Sequence, residues 1–326
     1  MKTIINVLLL FFSVFVFAQE KIDLKLNLKV GDVYKINIPM NMPTEIEMKM
    51  DQEKLKEMLS SFSDGSDSAM AKLQEDSVGE QKSFMDFSFE MRLVCKVLSK
   101  EKDKYKLEMY YDYLGNNLKS EDVEINYNTK DKNVNLPEDQ VAELEKIKKI
   151  IGKKFTLVTN EYGKVLSISG YEKALQGIIK KDDKGSMQME SNLFLDQLQP
   201  KEFKNNLADI FDVLPGKPIG IGDYWTRELI VEDEMMPFKV KTRFTLKEIH
   251  DDYLLIQSES IVYSDKMNNK LGYAEGEGKS TITLSRKDNF SQTQPYTLNL
   301  NVSMSLLMME MKMKTTATCN YEVKQQ

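Results

Sequence analysis

The chain has 326 residues, 51 of them acidic and 45 basic, for a formal charge of −6. Lysine and glutamate are interspersed along nearly every segment, whereas nucleic-acid partners cluster positive charge, so a nucleic acid is not expected. One histidine and two cysteines are too few for the common zinc sites, and any Ser-His-Asp or Cys-His mechanism would have to run through His250, in a charged turn beside Asp251 and Asp252.

At the start, Lys2, the apolar run from Val7 to Phe17, and the small residues Val16 and Ala18 before Gln19 form the pattern of a secretory signal peptide over residues 1–18. No cysteine follows the run to carry a lipid anchor. The expected location is therefore the periplasm or the cell exterior, with cleavage near Ala18-Gln19. No later stretch approaches the ~20 apolar residues of a transmembrane helix.

The first half, residues 19–135, reads as a β-meander. Gly31-Asp32 gives a turn, and Tyr34 opens the strand after it. Met40, Met42, Met48 and Met50 then recur at every second position, as do Met85, Phe87, Phe89, Met91, Leu93, Cys95 and Val97. Period two places each run on one face of a strand. Between them, residues 52–82 are polar and partly helical in pattern, and read as a surface excursion. Lys100-Glu101-Lys102-Asp103 forms a charged turn before a strand opening on Tyr105.

Residues 136–213 change texture. Val141, Leu144, Ile147, Ile150 and Ile151 fall at helical spacing, with an acidic first turn, lysines in the last and Gly152 beyond. Phe155–Thr159 and Val165–Ile168 suggest a hairpin, and further helices are expected near 171–181, 192–198 and 201–213.

Residues 214–326 return to β. Gly222-Asp223-Tyr224-Trp225 repeats the first Gly-Asp-aromatic turn, and Arg243 to Gln257 repeats a strand, a charged turn at 250–252 and a strand opening on Tyr253. Two divergent copies of one meander follow from this. Gly276-Glu277-Gly278-Lys279-Ser280 has Tyr273 where a P-loop needs its first glycine, and runs into a strand pattern rather than a helix. Leu298 to Met308 is apolar at even positions, and Met309, Met311, Met313, Ala317, Cys319, Tyr321 and Val323 at odd ones. This phase slip predicts a β-bulge or a bend near 307–309. Cys95 and Cys319 both fall on inward faces, where they are either two small buried hydrophobes or a disulfide permitted by an oxidising compartment.

The Gly-Asp turns, the methionine-rich strands, Gly152-Lys153-Lys154-Phe155-Thr156, and Leu214-Pro215-x-Lys217-Pro218-x-x-Ile221-Gly222-Asp223-x-Trp225 together resemble a domain-of-unknown-function family, number 6263, of secreted Bacteroidota proteins. The resemblance implies a secreted protein, spans most of the chain after the signal, and carries no catalytic residue to transfer.

The expected fold class is mainly antiparallel β with α, an α+β protein in which several helices lie between two related meanders or half-barrels. Paired carboxylates such as Glu108 and Asp112, or Glu232, Asp233 and Glu234, carry no spacing that assigns them a cleft. The expected function is non-catalytic and without a cofactor: binding of an apolar ligand, a lipid or acyl chain, against Met40, Met42, Met48, Met85, Phe87, Phe89, Met91, Met309, Met311 and Met313, since methionine is flexible and adaptable. The alternatives are an envelope structural or protein-interaction module and, third, copper(I) handling, because soft thioethers select that ion.

Overall fold

A computed structural model describes residues 21–51, 80–121, 123–131, 138–176, 198, 200–231, 237–264, 272–306 and 309–326. The expected signal peptide, nearly all of the expected 52–82 excursion, the helix expected at 192–198 except Leu198, and Glu232, Asp233 and Glu234 lie outside these residues.

The strands in the first half are β1 (Val33–Met50), β2 (Glu80–Glu101), β3 (Lys104–Lys119), β4 (Glu124–Asn128), β5 (Phe155–Asn160) and β6 (Val165–Ser169). The second half contributes β7 (Tyr224–Val231), β8 (Phe238–Ile249), β9 (Tyr253–Tyr263), β10 (Gly272–Ser285), β11 (Gln292–Leu306) and β12 (Met309–Gln325). All twelve join one sheet in the order β6-β5-β3-β2-β1-β12-β11-β10-β9-β8-β7, with β4 also on β3, and every strand pair is antiparallel. The described helices are α1 (Glu138–Lys148), the four-residue turn α2 (Tyr171–Ala174) and α3 (Pro200–Phe211). This overturns the expected α+β division with several helices between two β halves. The protein is nearly all antiparallel β in a single open sheet, because β12 pairs with both β1 and β11 and so joins the two halves edge to edge.

The repeat is visible in the hydrogen bonds. Gly31 and Gly222 have φ of 95° and 86°. The carboxylates of Asp32 and Asp223 accept from the Lys29 and Gly220 amides, each at 3.0 Å. Gly31 N–H donates to the Val97 carbonyl and Val97 N–H to that of Asp32; Gly222 and Leu246, then Leu246 and Asp223, make the same two bonds. A register shift follows directly in each copy, between Val97 and Ser99 and between Leu246 and Glu248. Each copy is a five-strand path, β1-β2-β3-β5-β6 and β7-β8-β9-β10-β11. The tyrosines that open the second strands are not equivalent, however: Val97 pairs Leu107 and Leu246 pairs Ile256, so Tyr105 corresponds to Leu254.

Asp223 is held below the ordinary carboxylate range, chiefly by the Gly220 amide and then by Lys21. A depressed folded-state pKa contributes stability that is present at neutral pH and lost as pH falls through and below the usual carboxylate range. Asp223→Ala is therefore expected to lower the urea midpoint at neutral pH and to differ less from the parent in acid.

A flat eleven-strand path would separate its edges by about 48 Å at the usual strand spacing. Here both edges reach the same helix end. From β7, Arg227 donates to the Ala208 carbonyl at 2.8 Å and Trp225 Nε1 to that of Val213 at 3.2 Å. From the β5–β6 turn, Gly163 lies so close to Phe211 that an added Cβ would sit 1.9 Å from its carbonyl oxygen. The sheet is thus curled into a nearly closed barrel, with the end of α3 in its seam. Inside, α3 buries Phe203, Leu207, Ile210 and Phe211, and Tyr171, Phe203, Phe155 and Tyr111 form an aromatic group, with Tyr171 stacked on Phe203 at 4.1 Å. Tyr171 OH donates to the Leu198 carbonyl, so the 2.8 Å contact with Tyr111 is donated by Tyr111.

The base is crossed by the segment from Ile22 to Leu28. Leu24, Leu26 and Leu28 point inward and are buried. Ile22 pairs Ile219, Leu26 N–H donates to the Glu161 carbonyl and Asn27 N–H to that of Asp288. Lys25 bridges Asp23 and Glu161.

Candidate functional site

The inward face is set by strand parity: even positions on β1, odd on β2 and β12, even on β11, β10 and β9. All ten residues of the expected wall share this face, yet they divide into two environments. Phe87, Phe89 and Met91 are buried in the main core, and Met40, Met42 and Met85 pack against it. Met48, Met311 and Met313 belong to a separate cluster with Val262, Ala274, Val302 and Met304. Met309 is partly buried beside Met50 and Leu306, its cross-strand partners.

This second cluster lies at the end of the barrel opposite the Ile22–Leu28 segment. Ile46, Met48, Phe238, Val240, Leu298, Leu300 and Met313 are only partly buried within it. A belt of uncharged polar side chains, spread over several cross-strand rows, borders it on the side of the main core. Thr44 Oγ1 meets Thr315 Oγ1 at 2.8 Å, and Thr242 Oγ1 meets Ser260 Oγ at 2.9 Å. Ser258 and Ser280 are buried one cross-strand row nearer the base than Ser260, and Gln294 one row beyond them; the Ser280 hydroxyl and the Gln294 carbonyl oxygen have no hydrogen-bond partner. The belt residues are uncharged, so this interior suits neutral, apolar matter and penalises an ion lacking its own partner.

Sequence reasoning missed Met304, Leu298 and Leu300 as members of this surface. Their signal was present in the even-numbered run, but the assumed bulge hid it. The phase slip is the junction of two strands: β11 ends at Leu306, which pairs Met309 at the start of β12, and opposed residues of a hairpin share a face whatever their parity. The bulge or bend expected within one strand is instead the joint between β11 and β12.

A cavity of about 590 Å³ lies elsewhere. Outward-register residues Glu90, Asn117, Thr297, Thr318 and Asn320 line it, with Tyr113, whose ring carries the Arg92 guanidinium at 4.3 Å. Met40 and Phe89 are the wall residues that border it.

Both cysteines are free and buried. Cys95 pairs Tyr34 and Cys319 pairs Met40, six residues apart on β1, or about 20 Å, far beyond disulfide reach. Burial pushes the Cys95 thiol up to about 12, which makes it inert. His250 lies against Glu248 at 2.7 Å and stacks on Tyr253. Among the described residues no three His, Cys, Asp or Glu side chains gather to hold a metal, and no helix is long and apolar enough to cross a membrane.

The model of a family described as a family of unknown function (DUF6263) matches residues 102–325. The chain belongs to this family. The match runs from the β2–β3 turn to the penultimate residue and takes in the whole second copy together with β12. It therefore includes the β11 and β12 side of the second apolar cluster. No curated protein matches the chain.

Proposed function

We propose that the chain is a secreted, non-catalytic binding protein that holds an apolar ligand, a lipid or acyl chain, at the open end of the barrel. One observation carries this reading: a second apolar cluster, separate from the folding core, in which Met48, Met313, Leu298 and Leu300 remain only partly buried around the buried Met304 and Met311. Folding accounts for Phe87, Phe89 and Met91, which the core already buries. It does not account for an inward apolar surface beyond the polar belt, where exposure costs free energy that a ligand would recover. Methionine suits such a surface because its three rotatable bonds repack around ligands of different shape.

The test is uptake of a fluorescent acyl-chain probe by the purified protein. Leu300→Asp, which places a charge in the half-buried cluster, is expected to abolish uptake while far-UV circular dichroism stays unchanged. Equal uptake by the folded variant would sink the reading.

A second reading is favoured by a different surface. β7 is the last strand of the sheet path, and Tyr224 and Ile230 on it are exposed, as is Ile261 on β9. An edge strand with exposed apolar side chains suits pairing with an envelope protein. Pull-down from envelope extract that is lost with Ile230→Lys, while probe uptake persists, would favour it.

A further inference from the structure

We infer that the open end of the barrel also holds a copper(I) site, built from the thioethers of Met48, Met311 and Met304. The register places these three abreast: Met48 pairs Met311 and Met311 pairs Met304. Opposed residues of antiparallel strands have Cα atoms about 4.5–5.5 Å apart, and all three side chains leave the same face. Met311 and Met304 are 7% and 9% exposed, and Met48 packs against them. Three long, flexible side chains in one lateral row can bring their sulfurs to a common point above the middle strand.

The surroundings fit a soft monovalent ion. Thioether sulfur is a soft donor that selects copper(I) over the harder divalent ions. Three neutral ligands leave the charge of the bound ion at +1, a smaller desolvation cost than a divalent ion would meet in the same apolar cluster. Met313 lies two residues along β12 on the same face, and Met309 and Met50 form the next cross-strand pair outward, with Met50 exposed. The Met50–Met309 pair supplies a path from solvent to the row, and Met313 lies on its core side. In the rows nearest the base the same three strands carry Ile36, Val323 and Gln292, then Ile38, Tyr321 and Gln294. Sulfur is thus concentrated where an ion could enter.

This site does not rest on the apolar-ligand reading, although it shares the same end of the barrel. The experiment is anaerobic titration of the purified chain with copper(I) against a chromophoric copper(I) chelator, under a mild reductant. One ion per chain is expected, with an X-ray absorption shell of sulfur alone. Affinity is expected to be flat between about pH 5 and pH 8, because no thioether must lose a proton, unlike thiol or imidazole ligands. Met311→Leu should weaken binding about tenfold or more, and leucine at positions 48, 304 and 311 together should abolish it. Leucine keeps the apolar volume, so the triple variant should stay folded, read as an unchanged far-UV circular dichroism spectrum and urea midpoint, and its loss of copper(I) then reports on the sulfurs alone. Met91→Leu, in the main core, should bind as the parent does. Failure to compete with the chelator, undiminished binding by the triple variant, or a shell containing nitrogen, oxygen or thiolate would each overturn the assignment.

Discussion

Replacing Gly163 by alanine is expected to destabilise the protein by about 3–5 kcal/mol, at the upper end of single substitutions. Two costs combine. Gly163 has φ of 85°, a conformation that costs an L-residue about 1–2 kcal/mol. The new Cβ would also meet the Phe211 carbonyl oxygen at 1.9 Å and its carbon at 2.9 Å. Both obstructing atoms are backbone, so no rotamer change relieves the contact. The β5–β6 turn would have to lift from the end of α3, opening the seam. Gly31→Ala is the internal control, because Gly31 has a similar positive φ but nothing within 4 Å of an added Cβ. It should cost only the conformational part, about 1–2 kcal/mol. Urea unfolding at constant m-value reads both. Equal costs for the two variants would mean that the seam is not closed as described.

Phe203→Ala is the second large effect, expected at about 3–5 kcal/mol. Phe203 is fully buried, stacks on Tyr171, and meets Phe155 and Tyr111 at 5.2 and 5.7 Å. The surrounding rings belong to β3, β5 and α2, elements held by the sheet, so the cavity has little freedom to collapse. Tyr111→Phe removes only a hydroxyl. Tyr171 keeps its own bond to the Leu198 carbonyl, and the expected cost is about 1 kcal/mol. A small cost for Phe203→Ala would show that α3 is not the plug that fills the barrel.

The residue pattern made local structure legible. Gly31-Asp32 and Gly222-Asp223 announced the repeat, and the structure gives them the same hydrogen bonds. Period two put Met40, Met42 and Met48 on one face of β1, and Met309, Met311 and Met313 on one face of β12, without reference to any partner strand. What alternation cannot supply is which strand lies beside which. That β12 is inserted between β1 and β11, making one sheet of two halves, depends on pairing across nearly the whole chain. Met304 was missed for the same reason, since its neighbour Met311 is reached through a hairpin that reverses parity. Pro39 and Pro43 argue against a central position for β1. The strand tolerates them because its ladder to β12 skips both, resuming at Met40 and at Thr44.

The proposed binding role rests on the division of the inward face. One part is a filled core under α3; the other is an apolar surface with partial cover and an uncharged belt at its floor. Native mass spectrometry of the mature chain, purified from the envelope without detergent, tests this most directly. The account predicts protein carrying a heterogeneous lipid-sized adduct, lost in Leu300→Asp. A bare protein mass under the same gentle conditions, for parent and variant alike, would contradict it.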